Sequence, residues 1–250
     1  MYSNGRKEII PTDGRFVTAT GGLREADPKI GTVYDAGMEP EGWMETGFDD
    51  SGWTPVHIAP ENDRYFGTLT AQESAPVLEQ EELSGRPFKD GNNDLVIDFG
   101  QNIAGYVRMK LRGLKAGDKI SLEHCEMLHD GCFDDSNVFI KETSIYDRFQ
   151  SVIYTAKGDA SGTEEFCPEF SIFGFRYARV RGYEGEIQPG DFTAVAVYSG
   201  LRTTFRFNSS DTLLNRLYQN SLWSQKGNFL DVPTDCPTIR RSITIISKCA

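Results

Sequence analysis

No apolar run approaches the roughly 20 residues that a membrane-spanning helix needs, so a helical span is excluded. Nor is there a basic start followed by an apolar core, and nothing at the N-terminus reads as a secretory signal. Cysteine is sparse and odd in number, 5 in all, with no Cys-x-x-Cys. That excludes a stapled scaffold and leads us to expect free thiols in a reducing compartment, the cytoplasm. Despite 25 Gly, the chain has neither a phosphate cradle of the Gly-x-Gly-x-x-Gly or Walker type nor a Gly-x-Ser-x-Gly elbow. No cofactor is expected. Positive charge is also short: Lys+Arg 26 against Asp+Glu 37 gives a formal net charge of -11. Such a surface repels phosphate backbones and anionic lipid, so nucleic acid and membrane surfaces are not expected partners.

What remains is 250 residues of ordinary globular composition, rich in aromatics at 12%. Up to about residue 190 the chain reads as short strands and turns. Leu95 to Phe99 is an apolar run closed by Gly100, and Tyr106 to Arg112 alternates with a period of two. A turn at Lys115 to Asp118 leads into Lys119 to His124, and the two segments are expected to pair as an antiparallel hairpin. Further strands are expected at Tyr177 to Arg181 and Phe192 to Tyr198. This spacing points to an antiparallel β-sandwich rather than a parallel α/β sheet.

After Phe207 the period changes. Asn208 to Asp211 offers N-cap candidates, and Leu214, Leu217, Tyr218, Ser221 and Leu222 fall on one helix face, which Gly227 ends. A lone amphipathic helix must bury its stripe, either on the sandwich or against further helices. Residues 239–250 carry no acidic residue, and Ile243 to Ile246 is a β-prone stretch with an aggregation risk.

Candidate chemistry is thin. His124, Cys125, His129 and Cys132 lie close together, but His124 and Cys125 are adjacent on a strand and point to opposite faces. No metal is expected, and His57 has no visible partner. The alternating Arg176, Arg179 and Arg181 could bind an anion, though a solvated strand face is the expectation. Carboxylates are the remaining option, since glycoside hydrolysis needs one acid to protonate the leaving oxygen and a second carboxylate to activate water or attack the sugar. Asp231-Val232-Pro233-Thr234-Asp235-Cys236-Pro237 holds acidic residues in a Pro-bracketed turn, where φ is restricted.

Several segments together resemble bacterial α-L-rhamnosidases. Asp98-Phe99-Gly100-Gln101-Asn102 is similar to a segment of their β-sandwich domain, and Gly174-Phe175-Arg176-Tyr177 to one of its strands. Asp231 to Pro237 resembles the segment that opens their catalytic helical barrel. Ile10 to Asp13, Tyr34 to Ala36, and Gly42-Trp43 through Phe48 to Trp53 are similar to the second half of their N-terminal lectin-like domain. The resemblance implies a mainly β chain whose centre is a concanavalin-like (jelly-roll) sandwich. Residues 1–70 would be part of a lectin-like sandwich, 71–200 the middle sandwich, 201–237 a linker and the first helix of an (α/α) barrel, and 238–250 an aberrant tail.

It also implies an inverting hydrolase of terminal α-L-rhamnosides, with a rhamnose-containing glycoside as partner. Asp235 falls on a residue that lines the rhamnose subsite. Arg240 stands about where the family has its general acid, and neither the Gly-Trp-Thr-Gly-Asp run nor the base appears, so no catalytic residue is assigned. A frameshift or truncated gene would explain the acid-free tail, as would a non-catalytic sugar-binding remnant; the abrupt loss of acidity favours the first. For a carbohydrate-binding module the candidates are Trp43, Trp53 and Tyr65, whose rings could stack on a sugar or simply pack in a core.

Overall fold

The computed structural model describes residues 4–8, 10, 12–28, 30–58, 71–136 and 149–234. Two compact units result, one from residues 1–22 and 38–71, the other from 23–37 and 72–250. In the first, Val17–Thr18 pairs antiparallel with Thr54–Pro55, and Trp53 meets Phe48 edge-on with ring centroids 5.6 Å apart.

The second unit is built on a curled ten-stranded sheet. Its path runs Leu23–Asp27, Gly31–Asp35, Ser151–Thr155, Lys119–Cys125, Phe173–Arg181, Leu95–Arg112, Phe192–Ser199 and Val77–Ser84. Arg86–Lys89 and Thr163–Phe166 also pair with Leu95–Arg112. Gly31–Asp35 lies parallel to Ser151–Thr155, and the other pairings are antiparallel. The antiparallel β expectation therefore holds.

Leu95–Arg112 carries the curl. Its first residues pair with Arg86–Lys89 and Phe173–Arg181, its later ones with Phe192–Ser199 and Thr163–Phe166. Alternation along its second half is as expected: Val107, Met109 and Leu111 are buried, while Arg108, Lys110 and Arg112 are partly exposed. One sheet face buries Ile97, Ile103, Val107, Phe173 and Phe175; another cluster gathers Ala104, Tyr106, Val195 and Val197. Gly105 lies between them, and a Cβ there would come 1.9 Å from the Val195 carbonyl oxygen. The backbone approach at that point requires glycine.

The hairpin expected across residues 115–118 does not form. The turn is present, with Asp118 N–H donating to the Lys115 carbonyl at 3.0 Å. However, Phe173–Arg181 lies between the two strands, pairing with Lys119–Cys125 on one side and Leu95–Arg112 on the other. Alternation fixes which face a side chain takes, not which strand comes alongside.

The expected helix spans Thr212–Gly227, with Asp211 as N-cap accepting from Leu213 N–H at 2.8 Å. Its C-terminal end packs on the sheet through Trp223, while Leu213, Leu214 and Leu217 stay exposed. The stripe is thus at most half-buried, at Tyr218 and Leu222. Among the described residues no helix is long and apolar enough to cross a membrane.

Candidate functional site

The segment leading to Asp235 is held by a tight turn. Phe229–Leu230 pairs antiparallel with Val232–Pro233, and Asp231 between them has φ 72°. Asp tolerates this left-handed region better than most residues, and here its side chain is also tied down. The Asp231 carboxylate accepts hydrogen bonds from the Ser74 hydroxyl and from Gln72 Nε2 at 3.1 Å, and its backbone N–H donates to Ser199 Oγ at 2.9 Å. Leu230 is buried against Val77, Ala104, Tyr106 and Val197. Thr234 N–H donates to the Asn228 carbonyl at 2.7 Å, closing the loop. Three strands of the sandwich therefore fix the direction in which the chain leaves Thr234. Asp235 itself, Arg240, Cys236, Cys249, Tyr65 and the tail 239–250 lie outside the described residues.

Beside this turn, Asn228 Oδ1 and Thr234 Oγ1 are buried without a hydrogen-bond partner among the described residues. An unmet buried polar atom is costly, so this corner is ready to accept further polar groups.

The two sandwich motifs form a single structure. Tyr177 pairs with Asp98 and Phe175 with Ile103, so Phe99 to Asn102 bulges opposite the single residue Arg176. Arg176 closes that gap by binding Asp98 with both ends of its guanidinium, at 2.8 and 3.0 Å. Burial pushes the Asp98 carboxyl up, but Arg176 and the Gly100 N–H outweigh it and hold the group below its usual value.

The arginine strip lies on the partly solvated side of its strand, as expected, and is ion-paired there. Arg179 pairs with Glu123 and Asp94, and Arg181 reaches the same two carboxylates at 3.3 and 3.7 Å. Glu123 comes from the neighbouring strand and Asp94 from the turn before Leu95–Arg112, so both are invisible to local sequence reading. His124 and Cys125 do point to opposite faces. His124 stacks on Phe173 and meets Phe175 edge-on, with Nδ1 2.6 Å from the Gln150 carbonyl, whereas Cys125 packs with Val96, Phe133 and Tyr177. Burial pushes the Cys125 thiol up to about 12, which disfavours the thiolate form. Cys125, Cys132 and Cys167 are free thiols, and no cluster of potential metal ligands occurs among the described residues. Trp43 is 42% exposed with its indole N–H bound to Glu39 Oε1 at 2.6 Å; Trp53 is half-buried against Phe48.

Residues 88–198 match the bacterial alpha-L-rhamnosidase concanavalin-like domain, and residues 1–81 the alpha-L-rhamnosidase N-terminal domain. Residues 202–242 match the bacterial alpha-L-rhamnosidase 6 hairpin glycosidase domain. The chain belongs to the bacterial α-L-rhamnosidase family. An α-L-rhamnosidase of Streptomyces avermitilis is 35% identical over 238 residues, covering 94% of this chain and 22% of its own length. One from Alteromonas sp. is 32% identical, covering 94% of this chain and 25% of its own length. The crystal structure of the Streptomyces avermitilis α-L-rhamnosidase complexed with L-rhamnose superposes with a TM-score of 0.83 over 94% of this chain and 22% of that one. For the Aspergillus terreus α-L-rhamnosidase the TM-score is 0.82 at 30% identity, over 94% and 26% of the two chains. The chain thus spans about a quarter of the length of these rhamnosidases.

Proposed function

We propose that this chain supplies the sandwich framework and the opening of the catalytic domain of a glycoside hydrolase that cleaves terminal α-L-rhamnosides with inversion. In this reading residues 1–70 are part of the lectin-like domain, 71–200 the middle sandwich, 201–237 the linker and first barrel helix, and 238–250 an aberrant tail. Asp235 contacts the rhamnose. What carries the reading is the turn at Asp231, anchored to Ser74, Gln72 and Ser199 only four residues before Asp235. A sugar-contacting carboxylate must be held to well under an ångström, and an anchored turn shortly before it in sequence supports that role. A rhamnose-containing glycoside is the partner, and a cytoplasmic location fits the free thiols.

Inverting hydrolysis requires a carboxylic acid that protonates the leaving oxygen and a carboxylate that activates water on the other side of the ring. In this reading Arg240 stands about where the family has its general acid. A guanidinium holds its proton throughout the accessible pH range and cannot hand it to a glycosidic oxygen. Loss of a positioned proton donor alone costs ~10² to 10⁴ in rate. Purified chain is therefore expected to release no 4-nitrophenol from 4-nitrophenyl α-L-rhamnoside; release above a heat-killed control would overturn this.

A second reading, a carbohydrate-binding module without catalysis, is favoured by Trp43, whose partly exposed ring is fixed through Glu39. Rings held in this way stack on the apolar faces of sugars at little entropic cost. Calorimetry with rhamnose-containing oligosaccharides tests it: heat lost in Trp43→Ala supports the module, and no heat at millimolar ligand excludes it.

A further inference from the structure

A cleft of about 880 Å³ opens on the middle sandwich, and the described residues that line it all lie between Glu82 and Pro189. That volume is within the range of small-ligand sites. We propose that this cleft binds a sugar unit carrying a single carboxylate, a uronate, with Arg86 as the group that takes the carboxylate.

Arg86 owes its free charge to a carboxylate that is already used. It lies directly opposite Asp98 across the antiparallel strands Arg86–Lys89 and Leu95–Arg112. Asp98, however, takes both prongs of Arg176 at 2.8 and 3.0 Å and the Gly100 N–H at 2.7 Å. Arg86 is exposed and forms no hydrogen bond or ion pair among the described residues. Glu82, the other carboxylate of the lining, is bonded to Arg108 Nη1 at 2.9 Å. Glu79 also approaches Arg108, at 3.7 Å, but it takes the Tyr106 hydroxyl and does not line the cleft. Among the described lining residues, Arg86 is thus the charge without a bonded counterion. Its planar fork matches a carboxylate through two N–H groups. One guanidinium takes one carboxylate, and a chain of net charge -11 repels a polyanion.

Both walls are set before a ligand arrives. Gly85 is pressed on the sheet, its N–H donating to the Phe192 carbonyl at 2.9 Å. A Cβ there would come 2.3 Å from Ile97 Cγ2 and 2.9 Å from that carbonyl oxygen, so this close approach requires glycine. Ser84 and Arg86 flank it. On the second wall, Gln188 N–H donates to Asp191 Oδ2 at 2.7 Å and Asp191 N–H to the Gln188 carbonyl at 3.1 Å, while Ile187 packs on the main core. The side chains of Ser84 and Gln188 offer a hydroxyl and an amide to sugar hydroxyls, and Pro87, Ile187 and Pro189 offer apolar contact to ring C–H groups. An acyl chain would strand Arg86 away from water, at a cost. A bare inorganic anion would leave the apolar walls unused. A uronate satisfies both.

Saturation-transfer NMR on the whole chain tests this with methyl β-D-glucuronide and, in parallel, the neutral methyl β-D-glucoside. Neither probe contains rhamnose, so the outcome is independent of the rhamnosidase reading. Transfer to the glucuronide is expected, well above that to the glucoside. Arg86→Gln should weaken it about tenfold or more, the scale of a hydrogen bond to a charged group. This variant should melt as the parent does, because Arg86 is exposed and unbonded. Arg86→Lys should keep part of the transfer, since an ammonium retains the charge but not the fork. Gln188→Ala should weaken it several-fold through the wall alone. No transfer to the glucuronide, equal transfer to both sugars, or transfer unaltered in Arg86→Gln would overturn the proposal. So would full displacement of the glucuronide by equimolar inorganic phosphate, since the cleft would then read a bare anion and not a sugar.

Discussion

Arg176 holds Asp98 through two hydrogen bonds, Nε to Oδ1 at 2.8 Å and Nη2 to Oδ2 at 3.0 Å, across the place where one residue of its strand faces a four-residue bulge of the next. The pair does what the missing ladder bonds cannot: it fixes the register on both sides of Phe99 to Asn102. Arg176→Ala should cost about 1.5–3 kcal/mol, the range for a hydrogen bond to a charged group. Arg176→Lys should recover only part of this, because an ammonium cannot make the two-pronged contact. Urea melts of the three proteins check it, and equal stability of Arg176→Ala and parent would remove the bulge-closing role.

Acid sensitivity should centre on two buried carboxylates. Burial pushes Glu164 up, but the Tyr154 hydroxyl at 2.6 Å and the N–H groups of Lys157, Gly158 and Asp159 outweigh it and hold the carboxyl below its usual value. Asp90 is likewise raised by burial and lowered further by the N–H groups of Phe133, Asp94 and Asn92. For a depressed folded-state pKa, the stabilisation is present above the unfolded value, ~4.3 for Glu and ~3.9 for Asp. It is lost as pH falls through the folded-state value. Melting temperature should therefore drop on acidification through that window. Glu164→Gln should be less stable at pH 7 and show a shallower acid limb; an unchanged slope would refute the assignment.

Asp231 combines a left-handed backbone with a three-point anchorage. Asp231→Asn keeps both the tolerance for positive φ and an acceptor oxygen, whereas Asp231→Ala loses both. Limited proteolysis should cut Asp231→Ala faster near residues 228–236 and leave Asp231→Asn close to the parent. Equal cutting in all three would mean that the anchorage does not hold this segment.

Local signals in the sequence reached a good part of this structure. The cap at Asp211 and the alternation of Val107, Met109 and Leu111 are set by neighbours one to four residues away, and both were readable. Strand order was not, because the pairing of Lys119–Cys125 with Phe173–Arg181 joins residues some fifty positions apart, and either strand's alternation permits other partners. For the same reason the partners of the arginine strip were not legible: Asp98 and Glu123 come from other strands and Asp94 from the turn before one. Gly105 resembles a weak point in a strand until Val195 is seen to pack against it. At the site, Asp235 stood out through its Pro-bracketed motif, but nothing local revealed that Ser74, Gln72 and Ser199 anchor the turn before it.

The central proposition, that residues 1–237 form a competent rhamnosidase framework presenting Asp235 to the sugar, can be tested with a chimera. These residues would replace the corresponding part of the Streptomyces avermitilis relative, leaving that enzyme's own helical domain to follow. Release of 4-nitrophenol from 4-nitrophenyl α-L-rhamnoside is expected, with a loss of about 10²-fold or more when Asp235→Asn is introduced. A chimera that melts cooperatively yet shows no turnover, or one that Asp235→Asn leaves unaffected, would contradict it.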